Sequence, residues 1–195
     1  MIFINFLNHE TMKKILLTIA LMAAGTGAAF AQKYMTRTGK ISFNATAPSS
    51  PEKIEAINNE VASVLDGTTG DLVFQVLVKS FKFERALMQE HFNENYMESD
   101  KLPKADFKGR ITNMADVSFT KDGTYNTKVS GKLTLHGITN DVTVPGTVTV
   151  QGSSVKLKAK FAVKLQDYKI AIPAVVSDKI GKEAMISLDS DLAKK

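Results

Sequence analysis

The chain has 195 residues, 25 Lys and Arg against 20 Asp and Glu, and no cysteine. Without cysteine there are no disulfides, no thiol chemistry, no zinc–thiolate site and no acyl-cysteine anchor. The net charge of +5 is modest and unclustered, which gives no basic stripe of the kind a nucleic-acid binder presents.

Reading begins at the N-terminus. Met12-Lys13-Lys14 supplies a short basic start, Ile15 to Ala24 is apolar, and Ala29-Phe30-Ala31 is an A-x-A pattern. These are the three parts of a secretory signal peptide, which predicts cleavage after Ala31. Residues 1–31 are then a leader, with an upstream extension before Met12, and residues 32–195 are one exported domain, periplasmic or secreted. The apolar run is shorter than the ~20 residues a spanning helix needs. Removing Lys13, Lys14 and Glu10 leaves a mature net charge of +4. A mature chain of this size can bury a real core as a single domain.

The stretch Glu52 to Leu65 is ambiguous: Ile54, Ile57, Val61, Val64 and Leu65 fit a helix about as well as a strand. Asp66-Gly67-Thr68-Thr69-Gly70 then reads as a turn. Leu72 to Phe83 is apolar on both faces of a predicted strand. Leu72, Phe74, Val76 and Val78 lie on one side, and Val73, Leu77, Phe81 and Phe83 on the other. Such a strand needs a cover. The next segment, Glu84 to Met97, places Leu87, Met88, Phe92 and Tyr96 near helical spacing and predicts a short amphipathic helix. It could close a barrel end or lie on the strand's outer face.

The remainder is dominated by period two. Phe107, Gly109, Ile111, Ala115, Val117 and Phe119 alternate with polar residues, as do Val129, Gly131, Leu133 and Leu135. Val142, Val144, Val148 and Val150 follow, then Val155, Leu157, Ala159, Phe161, Val163 and Leu165 against Lys156, Lys158, Lys160 and Lys164. These are half-buried antiparallel strands. Asp122-Gly123, Asn140-Asp141 after Gly137, and Gln151-Gly152-Ser153-Ser154 carry turn signals, so the strands predict a meander that closes as a barrel or sandwich. Pro145 inside such a run belongs at an edge or bulge, since it cannot donate to a ladder.

Motifs of catalysis are scarce. Past the leader only His91 and His136 remain, with no HxH or HExxH spacing, which argues against a metal site and against acid–base catalysis. There is no G-x-S-x-G elbow, P-loop or dinucleotide fingerprint. His136 ends a polar strand face and predicts ordinary surface or turn bonding. The lysine face of Lys156 to Lys164 is either a solvated edge-protecting face or an attractor for an anionic membrane or head group.

An aromatic and methionine cluster remains, formed by Phe74, Phe81, Phe83, Met88, Phe92, Tyr96 and Phe107, which is either filled core or the lining of a cavity. A barrel of about eight strands is just wide enough to hold one small apolar ligand. If it is hollow, the candidate lining is Leu72, Phe74, Val76, Phe81, Phe83, Met88, Phe92, Phe107, Ile111, Leu133 and Leu135.

Five segments in order resemble the YceI-like family. They are Ser80-Phe81-Lys82-Phe83, the run Leu87 to Met97 (LMQEHFNENYM), Pro103 to Gly109, Gly131 to Thr139, and Asp167-Tyr168-Lys169-Ile170. The resemblance spans nearly the whole mature chain. It implies an all-β fold, an extended lipocalin-like antiparallel β-barrel with one short amphipathic helix, and favours strand for Glu52 to Leu65. It also implies an exported, non-enzymatic protein without cofactor that holds a long isoprenoid or other lipid. Many members carry a His-Ser pair in the first strand where this chain has Gly39-Lys40. Competing readings are a ligand-free structural or interaction barrel and a hydrolase or isomerase acting on such a lipid. Membrane-surface contact and a homodimer are both compatible with the sequence.

Overall fold

The computed structural model describes residues 32–195; the leader and its cleavage site lie outside them. Nine strands follow in chain order. They are β1 (Lys33–Thr46), β2 (Glu55–Asp66), β3 (Asp71–Leu77), β4 (Lys82–Phe83), β5 (Lys104–Ile111), β6 (Gly123–Leu135), β7 (Ile138–Gln151), β8 (Ser154–Lys164) and β9 (Ile180–Lys194). Their order in the sheet is β1-β9-β8-β7-β6-β5-β3-β2, with the two-residue β4 beside β2, and β1 pairs back to β2. All pairings are antiparallel, and the β1–β2 pairing closes the barrel. Closure removes the free edges that a sheet of this length would otherwise expose.

Glu52 to Leu65 is strand from Glu55 onward. Its inward residues Ala56, Val61 and Leu65 are buried, whereas a helix there would leave the closing β1–β2 ladder unmade. Tight turns form where the sequence is short and polar. Asp66 Oδ1 accepts from the amides of Thr68 (2.9 Å) and Thr69 (3.2 Å), and Gly70 sits at φ +78°. Gly152, at φ +57°, turns β7 into β8.

Four local expectations need correction. The strand expected from Leu72 through Phe83 stops at Leu77, because Val78–Ser80 form a single 3₁₀ turn before β4. The alternation of Phe107 to Phe119 likewise stops at Ile111: residues 112–122 form an irregular loop with a 3₁₀ turn at Met114–Asp116. Asp122-Gly123 is therefore not a tight hairpin; Asp122 Oδ1 instead accepts from the Gly152 amide at 2.8 Å, tying this loop to the next turn. The β6–β7 turn falls at His136-Gly137, both at positive φ (+49° and +73°), while Asn140 and Asp141 lie within β7.

The ladder between β7 and β8 runs only from Gly146↔Ala159 to Gln151↔Ser154. Pro145 is the last β7 residue before this ladder begins, so no β8 bond is lost at it. Below Pro145 the two strands diverge. The 3₁₀ turn Leu165–Tyr168 bridges the seam: Asn140 Nδ2 donates to Asp167 O at 2.8 Å, and His136 Nδ1 lies 3.1 Å from Tyr168 O. His136 is therefore a mostly buried turn residue (12% exposed side chain), its other nitrogen 3.4 Å from Glu98 without hydrogen-bond alignment.

Two packed clusters divide the barrel. One surrounds Tyr34, Leu65, Ile111, Val150, Val155 and Leu192 at the end where β1 begins and β9 finishes. The other gathers Val78, Met97, Val163, Tyr168 and Ile170 at the opposite end.

Candidate functional site: an apolar cavity under a phenylalanine cluster

An interior cavity of about 510 Å³ runs along the barrel. Its size is that of an ordinary ligand site. The wall is built by strand alternation. β3 turns Leu72, Phe74 and Val76 inward, β5 Phe107 and Ile111, and β6 Leu133 and Leu135. The same inward parity leaves Val73 and Leu77 on the outside, 40% and 44% exposed. Among the described residues no helix covers them, contrary to the cover their apolarity predicts.

The 3₁₀ turn at Val78–Ser80 explains how Phe81 and Phe83 also reach the interior. In an unbroken strand they would share the outward side with Val73 and Leu77. The turn resets the parity, and β4 then pairs Ala56↔Phe83 and Ile57↔Lys82. Asn58, fully buried, holds the break together: its Nδ2 donates to Leu77 O at 3.0 Å, and its Oδ1 accepts from the Glu60 amide at 2.8 Å.

Helix α1 (Ala86–His91) continues into a π turn at Phe92–Tyr96. The pair closes one end of the barrel, with Met88 and Phe92 on the cavity wall. Phe92 stacks on Phe43 at 5.3 Å between ring centroids and contacts Phe83 at 5.0 Å and Phe81 at 5.7 Å. Phe43 also meets Phe81 and Phe83 edge-on at 5.5 and 5.7 Å. Such contacts are worth roughly 0.5–1.5 kcal/mol each beyond the area they bury.

All eleven residues named as candidate lining stand on this wall. Tyr96 does too, its hydroxyl pKa pushed up by burial. The sequence reading omitted Ile41 and Phe43 of β1, Phe161 and Val163 of β8, and Ile186 of β9, which complete the wall. The signal was available: Ile41-Ser42-Phe43-Asn44-Ala45 alternates as clearly as β8 does. Which strands sit opposite the phenylalanine segment is set by barrel closure, and alternation alone does not give it.

The entrance is polar. Glu52, Arg85, His91 and Lys179 border the cavity there. Glu52 accepts from Arg85 through Oε1, and its Oε2 lies 3.6 Å from Lys179 Nζ. Three separate segments thus meet across the opening. On the outward face of β3 and β5, Asp106 pairs with Gln75 and accepts from its Nε2 at 2.9 Å. On the outer wall the β8 lysines face β9 acids: Lys156 Nζ lies 3.2 Å from Asp191, and Lys158 Nζ 3.4 Å from Asp189. Its hydrogen bond to Asp191 and the charge of Asp189 hold the Lys156 ammonium above its ordinary pKa. That part of the lysine face is therefore largely compensated.

Fold and cavity together define a class, the lipocalin-like closed antiparallel barrels with a hollow apolar interior. Within it, the chain belongs to the YceI-like domain family, which it matches over residues 20–192. Its structure is similar to that of a polyisoprenoid binding domain from Saccharophagus degradans implicated in plant cell wall breakdown. That likeness has a TM-score of 0.72 at 11% identity, over 85% of this chain and 99% of that one. It is also similar to BcnA of Burkholderia cenocepacia (TM-score 0.64, 18% identity, 80% and 96% covered). The YCEI protein of Campylobacter jejuni follows at TM-score 0.53 and 14% identity, with 75% and 87% covered. At these identities the likeness is one of fold. No curated protein matches the chain.

Proposed function

We propose that this protein is an exported lipid carrier that holds a long isoprenoid or similar apolar chain in its barrel. The observation that carries the reading is the continuous apolar cavity reaching from Ile111 to the Phe43–Phe92 stack, with polar groups gathered at one entrance. Each apolar Å² a chain loses to such a wall is worth roughly 25 cal/mol, so shape and apolarity suffice for affinity without signature polar contacts. The family and the polyisoprenoid-binding domain of similar fold support the same reading. Holding rather than chemistry fits the polar groups at the mouth: Glu52 is engaged by Arg85 and Lys179 instead of converging with a second group on one reacting atom.

The test is a titration of refolded, delipidated protein with a long prenol. Binding should be saturable in the wild type, abolished by Phe74→Glu and largely retained in Phe74→Leu, which keeps most of the volume and apolarity. Circular dichroism checks that each variant folds. Absence of wild-type binding at any attainable concentration would leave a structural or interaction barrel as the better account. Export rests on the Lys13-Lys14 start and Ala29-Phe30-Ala31. Intact mass of the exported protein should place the new N-terminus at Gln32, and a mature chain retaining residues 12–31 would refute it.

A further inference from the structure

The rim of the cavity carries a feature that holding a chain does not require. From Ile170 to Val176 the sequence reads Ile-Ala-Ile-Pro-Ala-Val-Val, seven residues without a charge. Ile170 is buried, but Ala171, Pro173, Ala174 and Val175 are exposed. Val175 is 85% exposed, the most of any large hydrophobic residue described, and Leu87 is next at 61%. Both lie at the cavity entrance: Leu87 is on its wall, as is Val176 beside Val175. Scattered exposed apolar residues are ordinary. Here they are gathered on two segments that flank the opening of an apolar cavity.

The segment that carries Val175 is cationic. Between Lys169 and Lys182 there are three lysines, Lys169, Lys179 and Lys182, against one acid, Asp178. The facing segments are balanced, with Lys53, Lys82 and Arg85 against Glu52, Glu84 and Glu90, so the excess of cations lies on the Val175 side. Glu52 is already shared by Arg85 and Lys179 across the entrance. Cations around an exposed apolar loop match an interface that is anionic at its surface and apolar beneath.

We propose that the barrel docks mouth-down on an anionic lipid bilayer, with the Ala174–Val176 turn dipping among the head groups. Leu87 enters beside it, and Lys179, Lys182 and Arg85 meet lipid phosphates. The proposal rests on the lipid-carrier reading and adds how the chain reaches the cavity: it slides from the bilayer into the mouth without crossing water. Phosphates would also compete with Glu52 for Arg85 and Lys179, loosening the closure of the entrance only when the protein is docked.

The chain has no tryptophan, so Val175→Trp provides a single fluorescent reporter at the tip. It is mixed with phosphatidylcholine vesicles holding about one-third phosphatidylglycerol, and in parallel with pure phosphatidylcholine vesicles. The expected result is a blue shift and co-sedimentation with the anionic vesicles only, weakened by salt. Val175→Asp should lower vesicle binding about tenfold, and Lys182→Glu a few-fold, since apolar area and surface charge both contribute. Prenol binding in solution should be unchanged in Val175→Asp. Loss of vesicle binding in the wild type with prenol binding intact overturns the docking alone. Absent prenol binding overturns the carrier reading instead. Equal binding to neutral vesicles overturns the electrostatic part. A blue shift that needs no vesicles and grows with protein concentration, together with a dimer in analytical ultracentrifugation, assigns the loop to a second copy and overturns the proposal.

Discussion

The two ends of the barrel are made from the same strands and the same alternation, yet one is filled and the other holds a smaller packed cluster beside an open cavity. At the packed end Tyr34, Leu65, Val148, Val150, Val155 and Leu192 are all 2% exposed or less. The irregular loop after β5 plugs this end. Phe119 lies over Tyr34 at 5.9 Å between centroids, and a side chain at Gly67 would meet both rings at 3.1 Å. At the other end Leu133, Leu135, Ile138 and Phe161 are only partly buried, and Leu133, Leu135 and Phe161 border the cavity together with Met88 and Phe92 of the helical segment. Alternation therefore supplies an apolar interior, while the loops at each end decide whether that interior is filled.

If this contrast governs stability, truncation should be felt unequally. Leu65→Ala and Leu192→Ala, in the packed end, should each cost about 2–5 kcal/mol, read as a fall in denaturation midpoint at constant slope. Prenol binding per folded molecule should be little changed. An effect below that of the mouth-end variants would break the comparison.

The next largest effect falls on the wall between the two ends. Gly109 and Gly131 face each other across β5 and β6. A Cβ on Gly131 would come within 2.4 Å of the Gly109 Cα and the Lys108 carbonyl oxygen, which are backbone atoms that cannot swing away. Gly131→Ala should therefore destabilise by about 1–3 kcal/mol through forced separation of the strands. At Gly109 the space is occupied by the Phe107 ring, 2.5 Å from where a Cβ would lie. The Ser130 carbonyl oxygen is as close, so Gly109→Ala should lower the melting temperature, as Gly131→Ala does. It should also push the Phe107 ring toward the cavity and weaken prenol uptake per folded molecule, an effect Gly131→Ala should lack; titration beside thermal melting separates the two.

Leu135→Ala, at the hollow end, sharpens the contrast from the other side. The side chain already borders empty space, so little new void is created, and the cost should be only about 1–1.5 kcal/mol. Uptake of the prenol should change more than the melting temperature does.

The smallest effect is electrostatic. Hydrogen bonds from Arg110 and Thr69 hold the Asp71 carboxyl below its ordinary pKa, and Lys101 does the same for Glu98. A depressed folded-state pKa contributes stability above the unfolded value and loses it as pH falls through the folded one. Acid below the usual carboxylate range should therefore lower the melting temperature slightly, and Asp71→Asn should remove part of that pH dependence. Both groups lie at the surface, so the shift should be small and weakened by salt.

Much of this architecture was legible along the chain. The alternation of β6, β7 and β8 located those strands, and the phenylalanine and methionine positions of 72–111 all reached the cavity wall, because a strand's period of two fixes which residues share a face. The amphipathic segment after Phe83 was recognisable as a helix by its spacing. Tertiary structure decided three things. It placed α1 over the barrel end instead of the outer wall, because the 3₁₀ turn at Val78–Ser80 bends the chain inward and reverses the parity of Phe81 and Phe83. It chose turn over surface bonding for His136, which sits in a left-handed turn against Tyr168, a partner the sequence does not name. And it paired the β8 lysines with β9 acids and gathered Val175, Leu87 and the rim lysines around the entrance. The lysines and acids meet because β8 and β9 are ladder neighbours, and Leu87, Val176 and Lys179 lie far apart in sequence yet border one cavity.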